Sequence, residues 1–431
     1  MEVETIKRIV QDQEAERKRI LSQPDIITRN AGSGVAKLAL EHPNAFAVLG
    51  IRRCGKSTMV WLLLRKKKYA YINFDDEALY GIKASELNSV LKAFYDLYGE
   101  DVEFLVLDEI QNVEGWELFV NRLSRSRKVI ITGSNSALLS GELATHLTGR
   151  HSDFLLFPFG FAEYLAYRNA DVSMATRSPF ATETASMMSG LLSDYIDRGG
   201  MPEGYKFGME RIKATFGDIM AKDVIRRHGV RNAKAIESLA RYLVSNFAKE
   251  ITYSSICRAV GINKVATASA YVGYLEEAYL VFNLQRFSFK LKKQEVAPKK
   301  TYCIDTSLIG AIGFNISENS GRLMENVVAI ELLRRKSYLD AEMELFYWKD
   351  HYGREVDFVV KRGKGVKELL QVTRASSKGE INERELEALA YAAKDLRCKN
   401  LLIITWDYEG EIRESGRRIK CIPLWKWLLE T

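Results

Sequence analysis

The octapeptide Gly50-Ile51-Arg52-Arg53-Cys54-Gly55-Lys56-Ser57 has the spacing GxxxxGKS and sits between the apolar run Ala45 to Leu49 and the helical stretch Thr58 to Arg65. A strand, a glycine-bearing loop and a helix in that order predict a loop whose backbone N–H groups wrap phosphate oxygens at a helix N-terminus. Lys56 then bridges the β and γ phosphates and Ser57 ligates Mg²⁺. Gly50, Arg52, Arg53, Cys54, Gly55, Lys56, Ser57 and Thr58 form the expected nucleotide-binding set, with the Cys54 side chain facing away from the ligand.

Around this loop, short apolar runs alternate with helical patterns: Ala45 to Leu49, Tyr69 to Phe74, Phe104 to Leu107, Val129 to Thr132 and Phe154 to Phe157. Such alternation reads as a parallel sheet with crossover helices, an α/β fold. The third run ends in Asp108 and Glu109. Adjacent strand residues point to opposite faces, so the two acids take separate roles. Asp108 is expected to hold Mg²⁺ with Ser57, and Glu109 to activate the attacking water as general base. After the next strand, Ser134 or Asn135 is placed to contact the γ phosphate or the lytic water, although ordinary turn chemistry explains the same residues. Arg150, following Gly149, is the candidate for neutralising transition-state charge from a neighbouring subunit.

At 431 residues the chain predicts about three domains. A net charge of +7 excludes a uniformly basic nucleic-acid coat protein. The basic charge is local: Lys222 to Lys300 holds 15 Lys and Arg against 6 Asp and Glu, a net +9, and the remainder of the chain carries −2. Within it, a helix opening at Thr252 and running through Val260, a turn at Gly261 to Asn263 and a second helix from Lys264 to Glu277 have helix-turn-helix spacing. Tyr279 to Leu284 and Phe287 to Leu291 read as the two strands of a wing. Lys290, Lys292, Lys293, Lys299 and Lys300 trail from it to neutralise phosphates, and Lys264, Thr267 and Tyr271 are the candidates for groove contacts. The alternative is a module for subunit packing with solvated lysines.

Five scattered cysteines without a CxxC pair argue against zinc and against a disulfide framework, which fits a reducing cytoplasm. No stretch approaches the roughly 18 apolar residues of a spanning helix, so no membrane is expected. Residues 4 to 22 predict a charged amphipathic helix stopping before Pro24, read as a solvated arm or an oligomer contact.

The phosphate loop with paired arginines, Leu107-Asp108-Glu109-Ile110-Gln111 followed by Trp116, Thr132-Gly133-Ser134, Gly149-Arg150 and Gly199-Gly200-Met201-Pro202-Glu203 together resemble archaeal and bacterial AAA-type ATPases that carry a C-terminal nuclease-like domain of unknown function. The resemblance implies ATP as the nucleotide, an AAA+ core, a winged-helix middle domain and a C-terminal fold similar to PD-(D/E)XK nucleases. The boundaries expected are an arm at 1–40, the core at 41–165, a helical lid at 166–220, the winged helix at 221–300 and the nuclease-like domain at 301–431. In nucleases of that fold an Asp and a Glu on adjacent strands bind Mg²⁺, with a Lys two residues on. Here Glu325 and Asp357 are in place, but Gln371 and Thr373 stand where the second acid and the lysine belong. Weak Mg²⁺ binding and a domain kept for junction binding or assembly follow.

The combined reading is an oligomeric AAA+ ATPase using ATP and Mg²⁺ to remodel duplex or branched DNA or to translocate along it, in recombination or repair, with branch migration among the activities considered. A homo-oligomeric ring is expected because a trans-acting Arg150 needs head-to-tail interfaces. Two alternatives stand beside it: an ATP-gated signalling or regulatory switch with slow turnover, and an ATP-regulated metal-dependent nuclease.

Overall fold

Strands buried on both faces read as unbroken apolar runs, and β1 (Ala45–Leu49) is buried throughout. With β2 (Tyr69–Asn73), β3 (Phe104–Asp108), β4 (Lys128–Gly133) and β5 (His151–Leu155) it forms a five-stranded sheet in the order β2-β3-β4-β1-β5. Every pairing in it is parallel. The computed structural model describes residues 1–29, 33–42, 44–136, 151–172, 181–314 and 320–430. Two compact units emerge: Met1–Phe157 with Glu277–Tyr279, and Pro158–Glu276 with Leu280–Thr431. Among the described residues no helix is long and apolar enough to cross a membrane.

In the first unit, helix α1 (Val3–Leu21) is not the solvated arm or oligomer contact expected. It buries Ile6, Ile9, Val10 and Gln13, one face at helical spacing, in the apolar core of the sheet. The Gln13 amide donates to the Asn73 carbonyl at 3.2 Å and its oxygen accepts the Asn73 N–H at 2.8 Å, holding the end of β2. The density of charges along α1 hid this face from the sequence. Helix α2 (Lys56–Leu63) leaves the phosphate loop, and α3 (Leu87–Tyr98) packs against α1.

The second unit begins with mainly helical sequence. The Gly199-Gly200 pair ends the helix Thr182–Arg198 where the buried Asp305 carboxylate accepts the Gly200 N–H at 2.6 Å. A Cβ at Gly199, whose φ is +72°, would lie 2.2 Å from that carboxylate, so the glycines are required by packing. Next come α4 (Ala233–Ser245), β6 (Lys249–Ile251), α5 (Tyr253–Val260) and α6 (Val265–Glu277), the last two being the helix pair expected. The Thr252 hydroxyl accepts the Ser255 N–H at 3.1 Å and caps α5.

The strand pair after α6 differs from expectation. β7 (Val281–Arg286) forms, but 287–291 is not a strand: α7 (Leu291–Val296) intervenes and β8 (Lys299–Cys303) pairs antiparallel with β7. Phe287 turns inward against Phe346, with ring centroids 5.5 Å apart, and so ends the alternation. Lysines, Leu291, Gln294 and Glu295, all good helix formers, then take a helical turn.

β9 (Met343–Lys349), β10 (Glu355–Arg362), β11 (Gly365–Val372), β12 (Leu401–Thr405), β13 (Gly410–Glu414) and β14 (Arg417–Pro423) complete a nine-stranded mixed sheet in the order β13-β14-β12-β11-β10-β9-β7-β8-β6. The join is parallel, Gln285 beside Phe346 and Arg286 beside Tyr347. The boundary expected at 300/301 therefore falls inside β8. Helix α8 (Ser320–Tyr338) is buried along much of its length, and α9 (Glu383–Asp395) packs on β10 and β11.

Candidate active site

The carboxyl ends of β1, β3 and β4 lie side by side in the first unit, because Leu49 pairs with Gly133 and Leu107 with Ile131. β1 neighbours both β4 and β5, so the loop after it opens where the strand order reverses, the position at which open α/β sheets hold ligands. Gly50 has φ +147° and a Cβ there would come within 2.2 Å of the Leu156 carbonyl, so only glycine lets the loop pass. The Cys54 thiol donates to the same carbonyl at 3.4 Å, fixing the loop from behind.

Lys56 is buried, and its ammonium donates to the carbonyls of Gly50 at 3.0 Å and Ile51 at 3.3 Å and lies 3.5 Å from Glu109. Arg52 is tied to Asp75 at 2.9 Å, Arg53 is exposed, and Ser57 and Thr58 are half-buried in the first turn of α2. Asp108 accepts hydrogen bonds from Ser57, Thr132 and Tyr71, the last at 2.5 Å. Burial, then the adjacent Glu109 charge, holds the Asp108 carboxyl above its ordinary range despite these donors. A hydroxyl bonded to a carboxylate is a hard-oxygen pair suited to Mg²⁺, so the residues present fit that ion beside a nucleotide phosphate.

Glu109 adopts φ 50° and ψ 40°, a left-handed conformation uncommon for a non-glycine residue. Its N–H donates to the Thr132 hydroxyl at 3.1 Å, which secures the turn. Ser134 donates to its carboxylate at 3.3 Å and Gln111 donates to the same oxygen. Burial pushes the Glu109 carboxyl upward, but the charges of Lys56 and Arg52 and the Gln111 amide outweigh it, so the group titrates below its usual value. It is ionised at neutral pH and able to take a proton. Of the two residues weighed after β4, Ser134 contacts Glu109; Asn135 is fully buried beside it in sequence. Arg150 lies outside the described residues.

Sequence reasoning missed three groups. Tyr71 and Thr132 have no role assigned from the sequence, yet both hydroxyls reach Asp108. Arg29, in a stretch without periodicity, donates to the Cys54 carbonyl at 3.0 Å and the Phe157 carbonyl at 2.7 Å, bracing the loop from outside the motif.

In the second unit Lys264 is exposed, and Thr267 and Tyr271 are half-buried on α6, whose inner face is Ala268, Val272 and Leu275. Lys290, Lys292 and Lys293 are exposed around Phe289, itself 76% exposed. Lys300 is buried and not free for phosphates, and Lys299 is half-buried and donates to the Tyr253 hydroxyl at 3.3 Å. Glu325, Asp357 and Gln371 do come together. Gln371 accepts the Asp357 N–H at 3.3 Å through its amide oxygen, and Thr373 bonds Glu385 instead.

Residues 42–165 match the family described as AAA domain, and 189–320 and 320–427 match two domains of unknown function, DUF8612 and DUF4143. The chain is 36% identical over 408 residues to the uncharacterized protein MJ1544 of Methanocaldococcus jannaschii, covering 90% of this chain and 89% of that protein. It is 29% identical to an uncharacterized protein of Haemophilus influenzae, covering 89% of this chain and 94% of the relative. Among solved structures it is similar to the Walker-type ATPase PABY2304 of Pyrococcus abyssi, at 16% identity and a TM-score of 0.44, over 67% of this chain and 97% of that one. The protein belongs to one family with MJ1544, and its chain carries an AAA-type ATPase domain followed by two domains of unknown function.

Proposed function

We propose that the protein is a homo-oligomeric ATPase that hydrolyses ATP to remodel duplex or branched DNA or to move along it. The observation that carries the hydrolytic part is the setting of Glu109: a largely enclosed, ionised carboxylate on a left-handed backbone, beside Lys56 and oriented by Ser134 and Gln111. A site built only to retain nucleotide has no need of that second acid. Lys56 binds phosphate oxygens and offsets their charge. Asp108 and Ser57 would hold Mg²⁺, which when bound adds positive charge at those oxygens. Glu109 accepts the proton of the attacking water at its carboxylate, while Ser134 limits its rotation.

The DNA part is supported by the net +9 of Lys222 to Lys300, the helix pair α5 and α6, and the exposure of Lys264, Lys290, Lys292 and Lys293. In this reading α6 lies against the groove, Thr267 and Tyr271 beside Lys264, and the α7 lysines sit on phosphates. Arg150 acts across a ring interface. Phosphate release measured with and without a four-way junction tests the proposal. Stimulation by DNA is expected; slow turnover indifferent to DNA would replace it with the switch reading.

A further inference from the structure

The resemblance to PD-(D/E)XK nucleases implies a Mg²⁺ site at Asp357, and the residues present do not fit one. We propose instead that the acidic centre formed by Glu325, Glu355 and Asp357 is a cation site filled by the chain itself, with the Lys300 ammonium as its permanent occupant, so that the C-terminal segment binds no divalent metal and cleaves no nucleic acid.

Lys300 comes from β8, Glu355 and Asp357 from β10, and Glu325 from α8. The ammonium lies 2.8 Å from Glu325, 2.7 Å from Glu355 and 3.0 Å from Asp357. An ammonium has three N–H donors, and three carboxylates take them all. Lys300 is 3% exposed, Asp357 5% and Glu325 7%, so water does not substitute for these partners, while the Glu355 side chain is half-buried. Asp357 lies where the β9–β10 register shifts between Val356 and Val359, an irregularity that re-aims a side chain.

The second oxygens of Asp357 and Glu355 are also engaged. The other Asp357 oxygen accepts the Val372 N–H at 3.0 Å and Lys349 holds the other Glu355 oxygen at 3.0 Å, while Tyr302 donates at 2.6 Å to the same Glu325 oxygen that meets Lys300. Gln371 spends its amide oxygen on the Asp357 backbone. A metal ion would have to displace a buried lysine that has no other carboxylate to move to within this cluster, and the three acids would then leave that cation uncompensated. Where the nuclease pattern would have a second acid and a lysine after it, this chain has Gln371 and Thr373, and the cation comes from Lys300 on a different strand.

The test is a Mn²⁺ titration of nucleotide-free full-length protein, read by the magnetic resonance signal of free Mn²⁺, comparing the parent with Asp357→Asn, Lys300→Ala and the double variant. Any ion taken up beside Ser57 and Asp108 is common to all four and cancels. The parent and Asp357→Asn are expected to take up equal amounts, Lys300→Ala one further Mn²⁺ per chain, and the double variant none beyond the parent. Thermal unfolding should show Lys300→Ala stabilised by Mn²⁺ more than the parent. Less uptake by Asp357→Asn than by the parent would overturn the proposal, as would DNA cleavage that Asp357→Asn abolishes or a Lys300→Ala protein without the additional ion. Should Lys300→Ala fail to fold, the parent and Asp357→Asn comparison decides by itself.

Discussion

Lys56 and Glu109 form an ion pair, 3.5 Å apart with side chains 4% and 12% exposed, between the residue proposed to bind phosphate and the residue proposed to take the proton. The pair keeps Glu109 charged, because without the ammonium a buried carboxyl titrates upward. Lys56→Ala should therefore remove nucleotide binding and also raise the Glu109 pKa. Glu109→Gln should retain ATP yet lower kcat by about 10²–10⁴. Nucleotide-binding fluorescence and single-turnover phosphate release separate the two; a Glu109→Gln enzyme with parental turnover would remove Glu109 from the chemistry.

Ser134 donates to the Glu109 carboxylate at 3.3 Å, which on the proposed mechanism makes it an orienting residue. Ser134→Ala should lower kcat roughly tenfold with KM for ATP nearly constant, since an orienting contact matters at the transition state and little to binding. A rise in KM alone would place the hydroxyl on the nucleotide.

Arg29 braces the phosphate loop through two carbonyls while itself 6% exposed. A hydrogen bond from a charged donor contributes about 1.5–3 kcal/mol, so Arg29→Ala should lower the unfolding temperature of the first unit and weaken ATP binding together. ATP affinity unchanged in a destabilised variant would show that the brace does not reach the loop.

Burial, then the nearby Asp357 charge, raises the Glu325 carboxyl from 4.5 to about 7 against the pull of Lys300 and Tyr302. The folded state then holds a proton that the unfolded chain has released, so stability falls as pH rises from about 4.5 to about 7 and levels off above that. Glu385, raised to about 7 chiefly by burial, adds a fall of the same sign. Glu325→Gln should flatten the calorimetric profile across this window. An unaltered slope would show that Glu325 does not titrate there.

Removing the charges of Lys290, Lys292 and Lys293 should weaken DNA binding and make the slope of log K against log salt shallower by about 2.7, three contacts at about 0.9 each, with ATPase activity lacking DNA unchanged. Equal slopes in parent and triple variant would take α7 out of the interface.

The first unit was largely legible because its signals are local: a motif of eight residues, apolar runs of strand length, and two acids at a strand tip. What escaped was set by distance along the chain. Tyr71 meets Asp108 only because β2 pairs with β3, and the buried face of α1 was masked by its charges. The lysine row after β7 looked uniform, yet strand alternation and burial divide it. Lys290, Lys292 and Lys293 stay in water while Lys300 turns inward, and nothing in sequence spacing distinguishes them. Phe287 likewise ended a strand through a contact with Phe346, 59 residues on, which no window of local pattern contains.

The side-by-side course of Arg286 and Tyr347 bears on how the molecule can be dissected. A cut after Lys300 would strip β9 from β7, baring a row of main-chain groups ready to aggregate, and would send an ammonium into one fragment and its three acids into the other. Neither piece would be a faithful miniature of its half. Any transplant of this region into another protein would have to carry Lys249 through Pro423 as a single graft.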